Sequence, residues 1–296
     1  MIADMLAPYA NFVFDAPAQQ STATAWVGAV TYFLQLYFDF SGYSDMAIGL
    51  ARMFSIRFPF NFNSPYKAST VIEYWSRWHM TLTRYITLYL YTPLSLAVNR
   101  SRIARGKKVS TKAARTLSGF SMMVAYPTIV AMFFAGIWHG AGLQFMIFGL
   151  IHGVCMTLEH AWRLLRPSGQ VSRNPLLHCV SVFRVCLTVL IADIFFRSTS
   201  TASALQLLRS MIGLSGIRGK SVAPYDLWPF GLFLIVRFMP NTQQMLGETE
   251  NGTHAPPARF GLRWQPSPIW AFMAGFALFL VIINLGNSTT FLYFQF

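Results

Sequence analysis

Negative charge is what this chain lacks most. Its 296 residues hold 10 Asp and Glu against 23 Lys and Arg, a formal net charge of +13, and charged residues of both signs make up only 11% of it. An average soluble domain is roughly one quarter charged. So few charges cannot cover a water-facing surface. With 54% hydrophobic and 16% aromatic residues and a mean hydropathy of +0.43, the composition is that of a membrane protein. Cysteine is equally sparse. Cys155, Cys179 and Cys186 lie inside apolar segments without CxxC spacing, which excludes a disulfide framework and a zinc site of the usual kind. No GxSxG elbow occurs, so a serine triad of the hydrolase type is absent. No cleavable signal peptide is expected, because Met1 to Gln20 lacks a basic start and contains Asp4, Pro8, Asp15 and Pro17.

The cations are concentrated rather than scattered, which separates this chain from a soluble nucleic-acid binder. Arg100, Arg102, Arg105, Lys107, Lys108, Lys112 and Arg115 crowd residues 99–116 without an acid between them, as expected of a cytoplasmic, lipid-facing loop. Runs of about twenty apolar residues are long enough to cross a bilayer as helices. Leu117 to Trp138 has no charged residue and carries Pro127 as an expected kink; Leu143 to Trp162, Leu176 to Phe196 and Ile269 to Gly286 follow. Thr24 to Phe38 and Tyr43 to Phe54 read as one span broken at Ser41-Gly42, with Asp39 and Asp45 facing protein or capping a helix, or paired with Arg52 or Arg57. Leu227 to Met239 is short, and residues 241–268 form an extramembrane loop rich in Gly and Pro. The expectation is an all-α helical membrane bundle, one domain over residues 1–296. Two crossings from the basic loop return the chain to Arg163, Arg166 and Arg173, in keeping with a cytoplasmic side, whereas Arg197, Arg209, Arg218 and Lys220 fall against that trend.

The segment Pro65 to Pro93 is too polar for a simple span and too aromatic for a free loop. A helix from about Thr70 places Trp75 and His79 on one face, as an interfacial or re-entrant aromatic helix. His139, in Gly136-Ile137-Trp138-His139-Gly140, ends the clearest span. An imidazole there can take the proton of a hydroxyl nucleophile, and His79, in Arg77-Trp78-His79, is its natural second member. From the residues alone a core or interfacial histidine remains the alternative for each. Glu159, His152 and His160 lack a second pair at ligand spacing, so no metal is expected.

The motifs "YFDFSGYSDMAIGLARMFSIR", "FPFNFNSPYKASTVIEYWSRWHMTLTRYITLYLYTPL" and Trp138-His139-Gly140 occur in this order over Tyr37 to Trp162, with weaker support from Asp193 and Phe291 to Phe296. Together they resemble the membrane-bound O-acyltransferase family, in its bacterial branch of alginate O-acetyltransferases and teichoic acid D-alanyl transferases. The resemblance implies that His139 and His79 are catalytic. It also implies that Trp138, Arg77, Trp78, Asp39, Asp45, Asn61 and Tyr66 bind substrate or support the pair. The implied donor is a cytoplasmic thioester, acyl-CoA or an acyl-carrier protein, with no tightly bound cofactor. The implied acceptor is a cell-envelope or exported polysaccharide at the bacterial inner membrane, with a periplasmic acetyltransferase-like partner and no nucleic acid. Ser95-Leu96-Ala97 and Ser76 depart from the family pattern, which implies altered donor-side contacts. Met1-Ile2-Ala3-Asp4 resembles an internal position of such proteins, so the amino-terminal helices of the family are expected to be missing. Two readings of other kinds stay open. A transporter would use Asp39, Asp45 and Arg184 as its path but calls for an internal repeat, and none is visible. An inactive homologue would only hold partners.

Overall fold

The computed structural model describes residues 1–165, 174–215, 227–247, 261–284, 286 and 292, and among these it is helical without a strand. The amino-terminal helices are α1 (Ile2–Asp15) and α2 (Thr22–Met53), followed by α3 (Val71–Trp75), α4 (Met80–Ile86) and α5 (Thr92–Ala104). Next come α6 (Thr111–Ala114), α7 (Leu117–Phe120), α8 (Tyr126–Trp138), α9 (Leu143–Leu165) and α10 (Pro175–Arg197). The last are α11 (Thr201–Met211), α12 (Trp228–Phe238), α13 (Thr242–Leu246) and α14 (Pro268–Ile283). The chain divides into two compact units, Met1–Ser64 with Arg209–Phe296, and Pro65–Leu208.

In the first unit α1 packs on α2. Gly28 makes the approach possible, since a Cβ there would lie 2.4 Å from Val13 Cβ. Trp26 Nε1 donates to Met211 O at 3.0 Å, and Ser210 Oγ donates to Pro17 O at 3.0 Å. The break expected at Ser41-Gly42 is absent: α2 runs unbroken for 32 residues. A single glycine costs a helix only about 1 kcal/mol, and both acids have partners outside the helix backbone. Asp39 accepts from Leu292 N at 2.9 Å, and Asp45 accepts from Gln243 Nε2 at 3.0 Å.

Among the described residues three helices are long and apolar enough to cross a membrane, Leu117–Trp138, Leu143–Leu165 and Pro175–Arg197, all in the second unit. These match the expected spans. The final apolar helix is shorter than expected, Pro268–Ile283, and Trp228–Phe238 is shorter still. Pro127 has no amide to bond the carbonyl of Met123, and the ladder widens into a π turn over Ser121–Ala125, centred on that residue. The same device recurs at Thr87–Tyr91, centred on Tyr89, four residues before Pro93. Helices α8 and α9 meet backbone to backbone. An added Cβ at Gly136 would lie 2.3 Å from Phe145 O, one at Gly149 2.3 Å from Met132 O, and one at Gly153 3.2 Å from Ile129 Cα. Gly149 and Gly153 form a small-xxx-small stripe of the kind that brings membrane helices close.

Three expectations need correction. The helix from Thr70 ends at Trp75, and the chain turns before His79, so Trp75 and His79 do not share a helix face. Residues 99–116 are only partly loop: Asn99 to Ala104 complete α5, and Arg102 is buried, donating to Lys108 O at 3.4 Å and Ser118 O at 3.5 Å. Within 241–268, Thr242–Leu246 is helical. Residues 248–260 of that loop lie outside the described residues, as do Arg166, Arg173, Arg218, Lys220 and all of Phe291 to Phe296 except Leu292.

Candidate active site

The close packing of α8 on α9 places His139 at the end of a helix long and apolar enough to cross a membrane. It caps α8, its amide donating to Gly136 O at 3.0 Å. Its half-buried ring meets three aromatic rings edge-on: Trp138 and Phe196 at 4.9 Å between centroids and Phe148 at 5.9 Å. Such a wall excludes water from one side of the imidazole.

His79 reaches the same unit by a different route. Its backbone is left-handed (φ 41°, ψ 55°), a conformation that costs a non-glycine residue on the order of 1–3 kcal/mol. The turn is held from several sides. Arg77 N and Trp78 N both donate to Tyr74 O, at 2.9 and 2.8 Å. Thr83 Oγ1 donates to Trp75 O at 2.9 Å, and Thr81 Oγ1 lies 3.4 Å from His79 Nδ1. Arg77 is paired with Glu73 at 2.8 Å. Burial would raise the Glu73 carboxyl, but the Ser69 amide and hydroxyl together with Arg77 hold it below the usual carboxylate range.

Both imidazoles lie outside the spanning segments, and both are pushed toward the neutral form. Burial lowers His79 to about 4. Burial also lowers His139 to about 4, and the charge of His79 acts on it in the same direction. The two rings are therefore electrostatically coupled: a proton on one opposes a proton on the other.

Trp78 and Tyr66 are buried beside the turn, their rings near-parallel (21°, 6.4 Å), and Tyr74 stacks on Trp78 (14°, 5.7 Å). Trp138 is exposed apart from its contact with His139. The structure thus gathers His139, His79, Trp138, Arg77, Trp78 and Tyr66 in one unit. Asp39, Asp45 and Asn61 belong to the other, where Asn61 Nδ2 donates to Ser44 Oγ at 3.4 Å and the two acids hold the contacts given above.

Sequence reasoning missed two residues of α9. Glu159, buried in a spanning helix, accepts from Val71 N at 2.9 Å and Ile72 N at 3.1 Å, the first two amides of α3, and from Arg184 Nη2 at 3.0 Å. With Thr70 Oγ1 accepting from Glu73 N at 3.0 Å, every amide that opens α3 has a partner. His152, weighed only as a metal ligand, is enclosed by Tyr74, Trp75 and Phe148. The signal was present in both cases, because an ionisable residue inside an apolar helix is rarely idle. No cluster of three potential metal ligands occurs among the described residues.

Fold and site together define a helical membrane protein with a pair of coupled, neutral histidines beside an aromatic wall. No family model matches the chain. Individual proteins do. A peptidoglycan O-acetyltransferase of Helicobacter pylori is 37% identical over 218 residues, 73% of this chain and 37% of that protein. The "Probable alginate O-acetylase AlgI" of Azotobacter vinelandii is 42% identical over 163 residues, 55% of this chain and 28% of that protein. A teichoic acid D-alanyltransferase of Streptococcus thermophilus is 28% identical over 131 residues, 44% of this chain and 28% of that protein. These relatives are members of the membrane-bound O-acyltransferase family, and the chain is similar to them over about half its length. The match spans 28–37% of the length of these three relatives.

Proposed function

We propose that the chain is an O-acyltransferase that moves an acyl group, most simply acetyl, from a cytoplasmic thioester to hydroxyls of a cell-envelope or exported polysaccharide. The setting is a multi-pass protein of the bacterial inner membrane. The observation that carries the reading is the coupled His79–His139 pair at the end of a spanning helix, and the names of the relatives agree with it. His139, neutral at physiological pH, takes the proton of the acceptor hydroxyl as its oxygen attacks the thioester carbonyl. The tetrahedral intermediate then expels the thiolate, and the imidazolium returns the proton to sulfur, so no proton is gained or lost. Because a proton on His139 opposes one on His79, His79 stays neutral and serves as an N–H donor to the carbonyl oxygen. The aromatic wall of Trp138, Phe148 and Phe196 keeps water from competing with the acceptor.

The donor is acyl-CoA or an acyl-carrier protein reaching the cytoplasmic side, where the basic residues 99–116 lie in this reading. A periplasmic acetyltransferase-like protein is the expected partner on the other face. The test is transfer of labelled acyl groups from thioester to polymer by membranes containing the protein. His139→Ala is expected to lower the rate by at least about 100-fold, the usual contribution of a general base, with the amount of inserted protein unchanged. Transfer at the wild-type rate by this variant contradicts the assignment.

A further inference from the structure

One imidazole of the second unit has no part in the proposed chemistry, yet it stands between the two that do. His152 is 1% exposed, and its Nδ1 has no hydrogen-bond partner in the protein. Its ring lies parallel to Tyr74 (4°, 6.3 Å) and edge-on to Trp75 (87°, 5.2 Å) and Phe148 (73°, 4.9 Å). On one side Tyr74 and Trp75 close α3, and their carbonyls anchor the left-handed turn that presents His79. On the other, Phe148 is one helical turn before His152 and touches the His139 ring. Two further turns along α9 Glu159 holds the first amides of α3, and the Gly149–Gly153 stripe holds α8. Helix α9 therefore sets the spacing of both segments that carry the histidine pair, with His152 at its centre.

A ring in so apolar an enclosure would be better placed as phenylalanine if packing were its whole task, since a buried nitrogen without a partner destabilises the fold. We propose that His152 is a positioning residue for acyl transfer, its Nδ1 accepting from a fixed internal water that ties α9 to the segments carrying His79 and His139. This rests on the O-acyltransferase reading of the same site. The water lies in the plane of the His152 ring, where the Nδ1 lone pair points, and Tyr74 stacks parallel to one face of that ring.

Two substitutions separate this from a purely structural role. His152→Phe keeps the ring and removes the nitrogen, whereas His152→Asn gives up the ring and keeps a polar group where Nδ1 stands. Steady-state transfer from a labelled thioester to polymer is measured with the full chain in membranes, beside wild type and His139→Ala, together with thermal unfolding in detergent. The expected order is wild type, then Asn, then Phe. The Phe variant should unfold no lower than wild type and yet lose about 10- to 100-fold in rate, the scale on which a displaced supporting group acts. A loss in kcat at constant KM for the polymer is the signature of a fixed water, and a loss confined to KM overturns it. A Phe variant at wild-type rate, or an Asn variant slower than Phe, overturns the inference while leaving the histidine pair in place. Absence of transfer by wild type itself overturns the reading on which it rests.

Discussion

At the scale of single residues, the account turns on the protonation of two rings. A histidine in water has a pKa near 6.5, and burial brings His79 and His139 to about 4. A lowered pKa means the neutral, competent form persists as pH falls, and the pair fails only when pH drops through about 4. The acid limb of kcat/KM should therefore lie well below 6, with a flat profile from about pH 5 to 7. A limb at 6.5 or above means that the rings are solvated as in a free peptide, and contradicts the site. His139 was legible because a charge-free apolar run ending in Trp-His-Gly leaves a single titratable group at a helix end. The conformation of His79 was not, since no residue type announces a left-handed backbone outside glycine, and the hydrogen bonds that enforce it come from Thr83 and Tyr74. His152 was visible as a residue but not as a neighbour, because its enclosure is built by Tyr74 and Trp75 from far along the chain.

Among elements, the short helix α3 is the one most dependent on others. Five residues cannot sustain a helix in isolation, because nucleation alone is unfavourable. Its start is held by Glu159, and removal of that carboxylate leaves two amides without an acceptor and releases the half-exposed Arg184 guanidinium. Glu159→Ala should cost about 2–3 kcal/mol, the scale expected when two helix-opening amides lose their acceptor. It should lower the transfer rate with it by releasing the turn at His79. Glu159→Gln keeps one oxygen acceptor and should fall between. Thermal unfolding and transfer assays on both variants check this, and an Ala variant that matches wild type in both contradicts the anchoring role. The three spans were readable from composition because the bilayer sets their length. The interruptions were read less well. Pro127 was read as a kink, and the turn before it widens into a π turn; Ser41-Gly42 looked like a break although α2 continues through it. A helix tolerates such residues when its neighbours supply partners, and those neighbours are distant in sequence.

For the molecule as a whole, charge placement predicts orientation. In the multi-pass setting proposed above, the helices Leu117–Trp138 and Leu143–Leu165, joined by a short turn at Gly140-Ala141-Gly142, both cross, with residues 99–116 and Arg163 on one side and the turn on the other. The positive-inside rule assigns the basic side to the cytoplasm. With Cys155, Cys179 and Cys186 replaced, Ser110→Cys should react with an impermeant maleimide only in inside-out vesicles, and Ala141→Cys only in right-side-out ones. The reverse pattern contradicts the orientation and the cytoplasmic entry of the donor.

Whether His79 and His139 operate as one device is settled most directly by a double-mutant cycle on acceptor-dependent thiol release from the thioester. Groups that act together are strongly non-additive. If His139→Ala lowers the rate about 1000-fold and His79→Ala about 100-fold, on the scale of catalytic acid–base groups, the double variant should be no slower than His139→Ala alone. A double variant whose loss is the product of the two single losses means that the rings act independently, and the coupled pair at the centre of this account is then wrong.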